Sequence, residues 1–143
     1  MSQPVRLPVG THSFKIKSIV IKQGKKDPES KIMHLSFEKV DDDGNADEGF
    51  KPIKEFLGVV HGSKTYMDIS TSKADGLLRK LGVEEGLAKF NGDLAVLGTK
   101  NFLKDFMFET FDADVYEEKK EQTFTNEQGE DITFKARRIS LED

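Results

Sequence analysis

The segment Ser13 to Gln23, SFKIKSIVIKQ, carries two sets of apolar residues that cannot share one face of a regular strand. Phe14 and Ile16 stand in one phase, whereas Ile19 and Ile21 stand in the other. A one-residue slip sends every later side chain to the opposite face, and an inserted residue, a β-bulge, is the usual way a strand absorbs it. The phase therefore shifts near Ser18, and the strand bends. Bent strands of this kind occur where one strand serves two halves of a small barrel.

The rest of the chain extends this β-rich reading. Pro4, Pro8 and Gly10 make residues 1 to 11 an extended lead-in, and GKKDPES, residues 24 to 30, is a loop. A second strand runs from Ile32 to Val40, with Met33, Leu35 and Phe37 on one face and His34, Ser36 and Glu38 on the other. DDDGNADEG, residues 41 to 49, is a solvated acidic connection. Apolar residues return over Ile53 to Val60, in no clean period. His61 to Lys64 then reads as a tight turn, and Tyr66, Met67 and Ile69 as a short extended piece.

A helix is expected over residues 70 to 82, capped by Ser70, Thr71 or Ser72, striped by Leu77, Leu78 and Leu81, and ended by Gly82. A second, short helix fits Glu84 to Phe90. Residues 91 to 109 have no clear pattern, but Phe102, Phe106 and Phe108 are expected to be buried. Phe111, Ala113 and Val115 then alternate with polar residues, turn chemistry follows at Asn126 to Gly129, and Ile132, Phe134 and Ala136 alternate on the way back. This is a long hairpin whose outer half is too polar for a core. Its Phe134, in phase with Ile132 and Ala136, reads as core.

Composition narrows the chemistry. The 143 residues fit one domain, and eleven Phe in a chain with 34% charged residues are enough for one core beneath a heavily charged surface. The absence of cysteine removes disulfides, thiolate metal sites and thiol nucleophiles. His12, His34 and His61 lie in no metal-binding spacing, and GVVHGSK, residues 58 to 64, lacks the complete phosphate-loop pattern. Asp112 and Asp114, like Asp42 and Asp43, read as solvated faces rather than metal ligands. The expectation is no catalytic residue, no metal and no cofactor: a binding protein, not an enzyme. Without a bilayer-length apolar run or a secretory signal, the chain is expected in the cytoplasm, away from membranes.

Net charge is −4, yet it is patterned: residues 1 to 40 hold eight basic and three acidic side chains, and 41 to 49 hold five acidic and none basic. Single-stranded nucleic acid is held by cations that meet phosphates and rings on which bases stack. Lys15, Lys17, Lys22, Lys25, Lys26 and Lys31 supply cations around the first two strands. Lys119, Lys120, Lys135, Arg137 and Arg138 supply them on the last hairpin, with Tyr116 and Phe124 as platforms and Phe134 as a further ring. Glu117, Glu118 and Glu121 are positioned to pair with the hairpin's bases instead.

Three stretches resemble a known family. LPVGTHSFKIKSIVIKQGKKDPESKIMHLSFEKVD (7 to 41), ADGLLRKLGVEE (74 to 85) and TFDADVYEE (110 to 118) are similar to parts of the small phage-encoded single-stranded DNA-binding proteins with an OB fold. The resemblance touches about half the chain. It implies a five-stranded Greek-key barrel, all-β with one or two helices between strands three and four, closed by a long C-terminal hairpin. It further implies non-specific binding of single-stranded DNA on strands two and three and between the first and last hairpin loops, in phage replication or recombination and with proteins of those processes as partners. The competing reading is a β-rich protein-interaction module, structural or host-modulating, without nucleic acid.

Overall fold

A computed structural model describes residues 5–25, 27–99 and 102–141. Five strands, β1 (Gly10–Gln23), β2 (Lys31–Lys39), β3 (Ile53–Val60), β4 (Phe111–Thr125) and β5 (Asp131–Ile139), form one antiparallel sheet in the order β3-β2-β1-β4-β5. Helices α1 (Lys64–Leu81), α2 (Glu84–Phe90) and α3 (Leu94–Leu97) and a short 3-10 turn at Lys104–Phe106 connect β3 to β4. None of the described helices is long and apolar enough to cross a membrane.

The phase shift in β1 is a bulge. Ile16 faces Phe37 and Ser18 faces Ser36, so Lys17 is the extra residue. Before it, Phe14 and Ile16 point to the core; after it, Ile19 and Ile21 stand opposite the buried Leu35 and Met33. The bend lets the first part of β1, Gly10 to Phe14, pair with β4 while the rest, Phe14 to Gln23, pairs with β2. The inward residues of all five strands, among them Phe37, Leu57, Phe111, Val115 and Ile139, form one cluster with Ala74, Leu77, Leu78 and Leu81 of α1.

Helix α1 corrects the expected turn and extended piece at residues 61 to 69. Its N-cap is Ser63, whose hydroxyl accepts from the Tyr66 amide, and residues 64 to 69 form its first turns. The contact that decides this is with β3: the Ser70 hydroxyl accepts from the Gly58 amide at 2.8 Å, and Tyr66 and Met67 pack where a side chain at position 58 would stand. The helix ends as expected, at Gly82 in the left-handed region (φ 70°). Phe102 and Phe106 pack against the core, but Phe108 is 91% exposed, contrary to expectation, because the 3-10 turn ends before it and turns it outward.

The two edges of the sheet, β3 and β5, are not joined by a backbone ladder. Two other devices bring them together. Near the start of β3, the lead-in lies between them: Val5 pairs with Phe50, the Lys51 amide donates to the Val5 carbonyl, and the Arg137 guanidinium of β5 donates to the Leu7 carbonyl. Further along, Glu55 of β3 is fully buried (0% exposed) and receives two hydrogen bonds from Arg138 of β5, at 3.1 and 2.9 Å, and one from Lys73 of α1, at 3.3 Å.

A buried carboxylate without partners is costly, so removing one member of such a cluster is worse than removing all of it. Glu55→Ala is expected to lower unfolding stability by about 3 kcal/mol, at the lower end for buried pairs because Arg138 and Lys73 reach some water. Replacing Glu55, Arg138 and Lys73 together by Met is expected to cost less than the single change. Urea denaturation checks both, and an unaltered midpoint in Glu55→Ala would mean that the cluster does not join the edges.

Candidate nucleic-acid interface

Strand alternation determines what the outer face of β1, β2 and β3 presents. Val20, His34 and Phe56 stand side by side across the three strands in register. The row on one side is Ser18, Ser36 and Lys54, and the row on the other begins with Lys22 and Ile32. An apolar and aromatic band thus crosses the sheet between two lysines. The His34 ring packs edge-on against Phe56 with centroids 4.8 Å apart. Burial, and after it the ammonium groups of Lys22 and Lys54, push the His34 imidazole below its ordinary pKa, so the ring is neutral at pH 7.

Phe56 belongs also to a groove of about 670 Å³ between β3 and the β4–β5 hairpin. One wall carries Lys51, Lys54 and Phe56; the other carries Gln122, Phe124, Ile132, Phe134 and Ala136 from the inner face of the hairpin; Arg6, Arg137 and Arg138 also line it. The lining residues include five cations and no carboxylate. Phe124 and Phe134 meet edge to face, 5.7 Å between centroids.

Phe124 is 50% exposed, in keeping with a ring that folding leaves open, although Phe134 and Ile132 flank it. Phe134 is a correction: with Ile132 and Ala136 it faces the groove and is half-buried, not core. The alternation of β5 was legible, but Ile132, Phe134 and Ala136 stand in the phase of Arg138, opposite to that of the buried Ile139, so their face lies over the groove and not over the core.

The expected cations divide into three sets. Lys22 lies on the outer face of β1 beside the aromatic band, and Lys15 lies there too, in an ion pair with Glu38 at 3.9 Å. Lys17 is the exposed bulge residue, and Lys25 and Lys31 are exposed where β1 turns into β2. Lys26 falls outside the described residues. On the hairpin, Lys119 and Lys120 are exposed in the irregular stretch between Glu117 and Glu121, and Lys135, opposite Glu121, alternates away from the groove.

Arg137 and Arg138 reach the groove but are already engaged, Arg137 by Glu117 and Arg138 by Glu55 and by Glu118 at 3.5 Å. Both arginines therefore act first as structural ties. Tyr116 stands directly opposite Arg138 and does not line the groove; burial, and then the nearby Glu55 carboxylate, hold its phenol above the ordinary range.

Four cationic or aromatic residues of the groove lining were not among the contacts read from the sequence: Arg6, Lys51, Lys54 and Phe56. Lys51 and Lys54 make no ion pair with a described residue. Apart from Glu55, Glu117 and Glu118, which hold the two arginines, several acidic residues are placed away from the groove lining. Asp112 and Asp114 accept from Ser13 and Thr11, Asp47 pairs with Lys39, and Glu127 and Glu130 sit at the hairpin tip. No family model and no curated protein matches the chain.

Because Phe134 faces the groove, Phe134→Ala is expected to cost about 1 kcal/mol of stability, whereas Phe37→Ala, in the core, is expected to cost about 3 to 5. Chemical denaturation of the two variants separates them; equal large losses would place Phe134 in the core.

Proposed function

We propose that this protein binds single-stranded DNA without sequence preference, along the groove between β3 and the hairpin and across the outer face of β1 to β3. The observation that carries this reading is the groove's lining: Phe56, Phe124 and Phe134 stand among Arg6, Lys51, Lys54, Arg137 and Arg138, with no carboxylate. Rings exposed beside cations suit an unpaired strand, whose bases stack on the rings while its phosphates meet the ammonium groups. Duplex DNA keeps its bases stacked inside, out of reach of exposed rings.

The fold reading that accompanies this proposal is an OB-type barrel. In its support, the strand order is that of a five-stranded Greek-key barrel with one seam left between β3 and β5, which the lead-in and the Glu55 cluster bridge by side-chain and irregular contacts. The family resemblance of residues 7 to 41, 74 to 85 and 110 to 118 points to the same binding face and to a role in phage DNA replication or recombination. The bases most exposed to phosphate are then Lys22, Lys51 and Lys54, with Lys25 and Lys31 at the end of the β1–β2 turn.

Titration of fluorescent oligothymidine and of a matched duplex at two salt concentrations tests the proposal. Much tighter binding of the single strand, weakening as salt rises, is expected; equal affinities, or no binding at low salt, would contradict it. Lys51→Ala with Lys54→Ala is expected to make the slope of log affinity against log salt shallower by about 1.4, at about 0.7 per phosphate contact. Phe124→Ala and Phe56→Ala are each expected to weaken binding by about tenfold, within the about 1 to 3 kcal/mol per stacked base. An unchanged salt slope, or rings that can be removed without effect, would move the site elsewhere.

A further inference from the structure

Resting on the single-strand reading above, we propose that His34 is a phosphate contact of the same interface that takes up a proton as the strand binds, so that binding is linked to pH.

The geometry around the ring is unusual in what it lacks. On β1, Val20 is directly opposite His34 and Lys22 is the next outward residue; on β3, Phe56 is directly opposite and Lys54 the next outward residue. On β2 itself the outward neighbours are Ile32 and Ser36. Glu38 lies one outward position beyond Ser36, and it is paired with Lys15. The hairpin wall that closes over Phe56 contributes Gln122, Phe124, Ile132 and Phe134, and no carboxylate. The charged groups that act on the imidazole are thus both cations, one from each neighbouring strand.

This arrangement suits a neutral ring in the free protein. Each Coulombic effect on it opposes protonation, and so does the contact with Phe56 that removes water from one side. A phosphate of the bound strand seated at the ring changes the balance. It brings negative charge beside the imidazole and accepts a hydrogen bond from an imidazolium N–H, while Lys22 and Lys54, on diagonally opposite sides of the ring, draw the anionic strand across it. The protonated form is then the better partner, and its pKa in the complex lies above that in the free protein. No covalent step is involved; the proton comes from solvent.

The sign of the pH dependence follows from linkage. When the complex binds a proton more tightly than the free protein does, affinity rises as pH falls through the interval between the two pKa values. As pH falls, the rise begins at the value in the complex and levels off below the free value, which lies under the ordinary 6.5 of histidine, so it extends into the mildly acid range. Above the value in the complex, His34 is neutral in both states and affinity is flat. A single imidazole limits the effect to about one proton per complex and to at most about tenfold in affinity per pH unit.

The test uses the full chain and oligothymidine. Calorimetric titration at pH 6.5 in two buffers with different heats of ionisation counts the protons exchanged, and fluorescence titration from pH 8 to pH 6 gives the slope of log affinity. Net uptake of a substantial fraction of a proton is expected, together with affinity that climbs toward pH 6. His34→Phe keeps a ring against Phe56 but cannot titrate, and His34→Gln keeps a polar group; with each variant's own affinity at pH 8 as its reference, both are expected to lose the acid enhancement and the proton uptake. His12 and His61 remain in both variants and serve as the internal control.

Binding without proton uptake, or uptake that persists in His34→Phe and His34→Gln, would overturn the proton linkage and leave the single-strand reading standing. Failure of the unaltered protein to bind oligothymidine at any pH in this range would overturn the single-strand reading and the linkage with it.

Discussion

The buried Glu55 carboxylate is the constraint on which the groove depends. It sits on the core side of β3, in phase with Ile53 and Leu57, where an apolar residue would be the ordinary choice. Arg138 and Lys73 hold it from β5 and α1. These are the two elements that must converge on β3 for the sheet edges to meet. A pair of leucines in the same place would bury area with equal or better energy but would accept many relative placements of the strands, whereas a two-pronged guanidinium on a carboxylate accepts few. The cluster therefore acts less as a source of stability than as a determinant of where the β4–β5 hairpin stands relative to β3. The groove is the space that this placement leaves.

The same constraint explains why the cations divide as they do. Arg138 and Arg137 lie closest to the junction and are engaged by Glu55, Glu118 and Glu117. Lys22, Lys51 and Lys54 lie one or more residues away from those carboxylates and keep their ammonium groups for solvent or ligand. Negative net charge does not oppose an anionic ligand in this arrangement, since no carboxylate lines the groove and five acidic residues are gathered in the 41 to 49 loop. With screening over about 8 to 10 Å at physiological salt, local sign matters more than the sum.

Much of the architecture was legible because apolar spacing carried it. The bulge at Lys17 could be read from Phe14 and Ile16 set against Ile19 and Ile21, and the hairpin from its alternation and its Asn126 turn. The interface was less legible, and β3 shows why. In Lys54-Glu55-Phe56-Leu57 the charged Glu55 points inward and the aromatic Phe56 outward, at 36% exposure, so hydropathy is inverted at two successive positions and no period survives. Ile132, Phe134 and Ala136 misled in the opposite way, since an apolar face over a groove has the same spacing as an apolar face over a core. The first turns of α1 were hidden because the contact that sets them, Ser70 and Tyr66 against Gly58, is tertiary and leaves no local pattern. Phe124 could be found because its neighbours along the chain are polar, and a ring without a local core calls for another explanation.

The most direct measurement is a map of backbone amide shifts while oligothymidine is added to the labelled protein. Binding in the groove and across the sheet is expected to move the amides around Lys22, His34, Lys54 to Phe56, Phe124 and Phe134, and to leave those of α2 and of the 41 to 49 loop in place. Shifts confined to α1 to α3, or an unperturbed spectrum at saturating oligonucleotide and low salt, would contradict it.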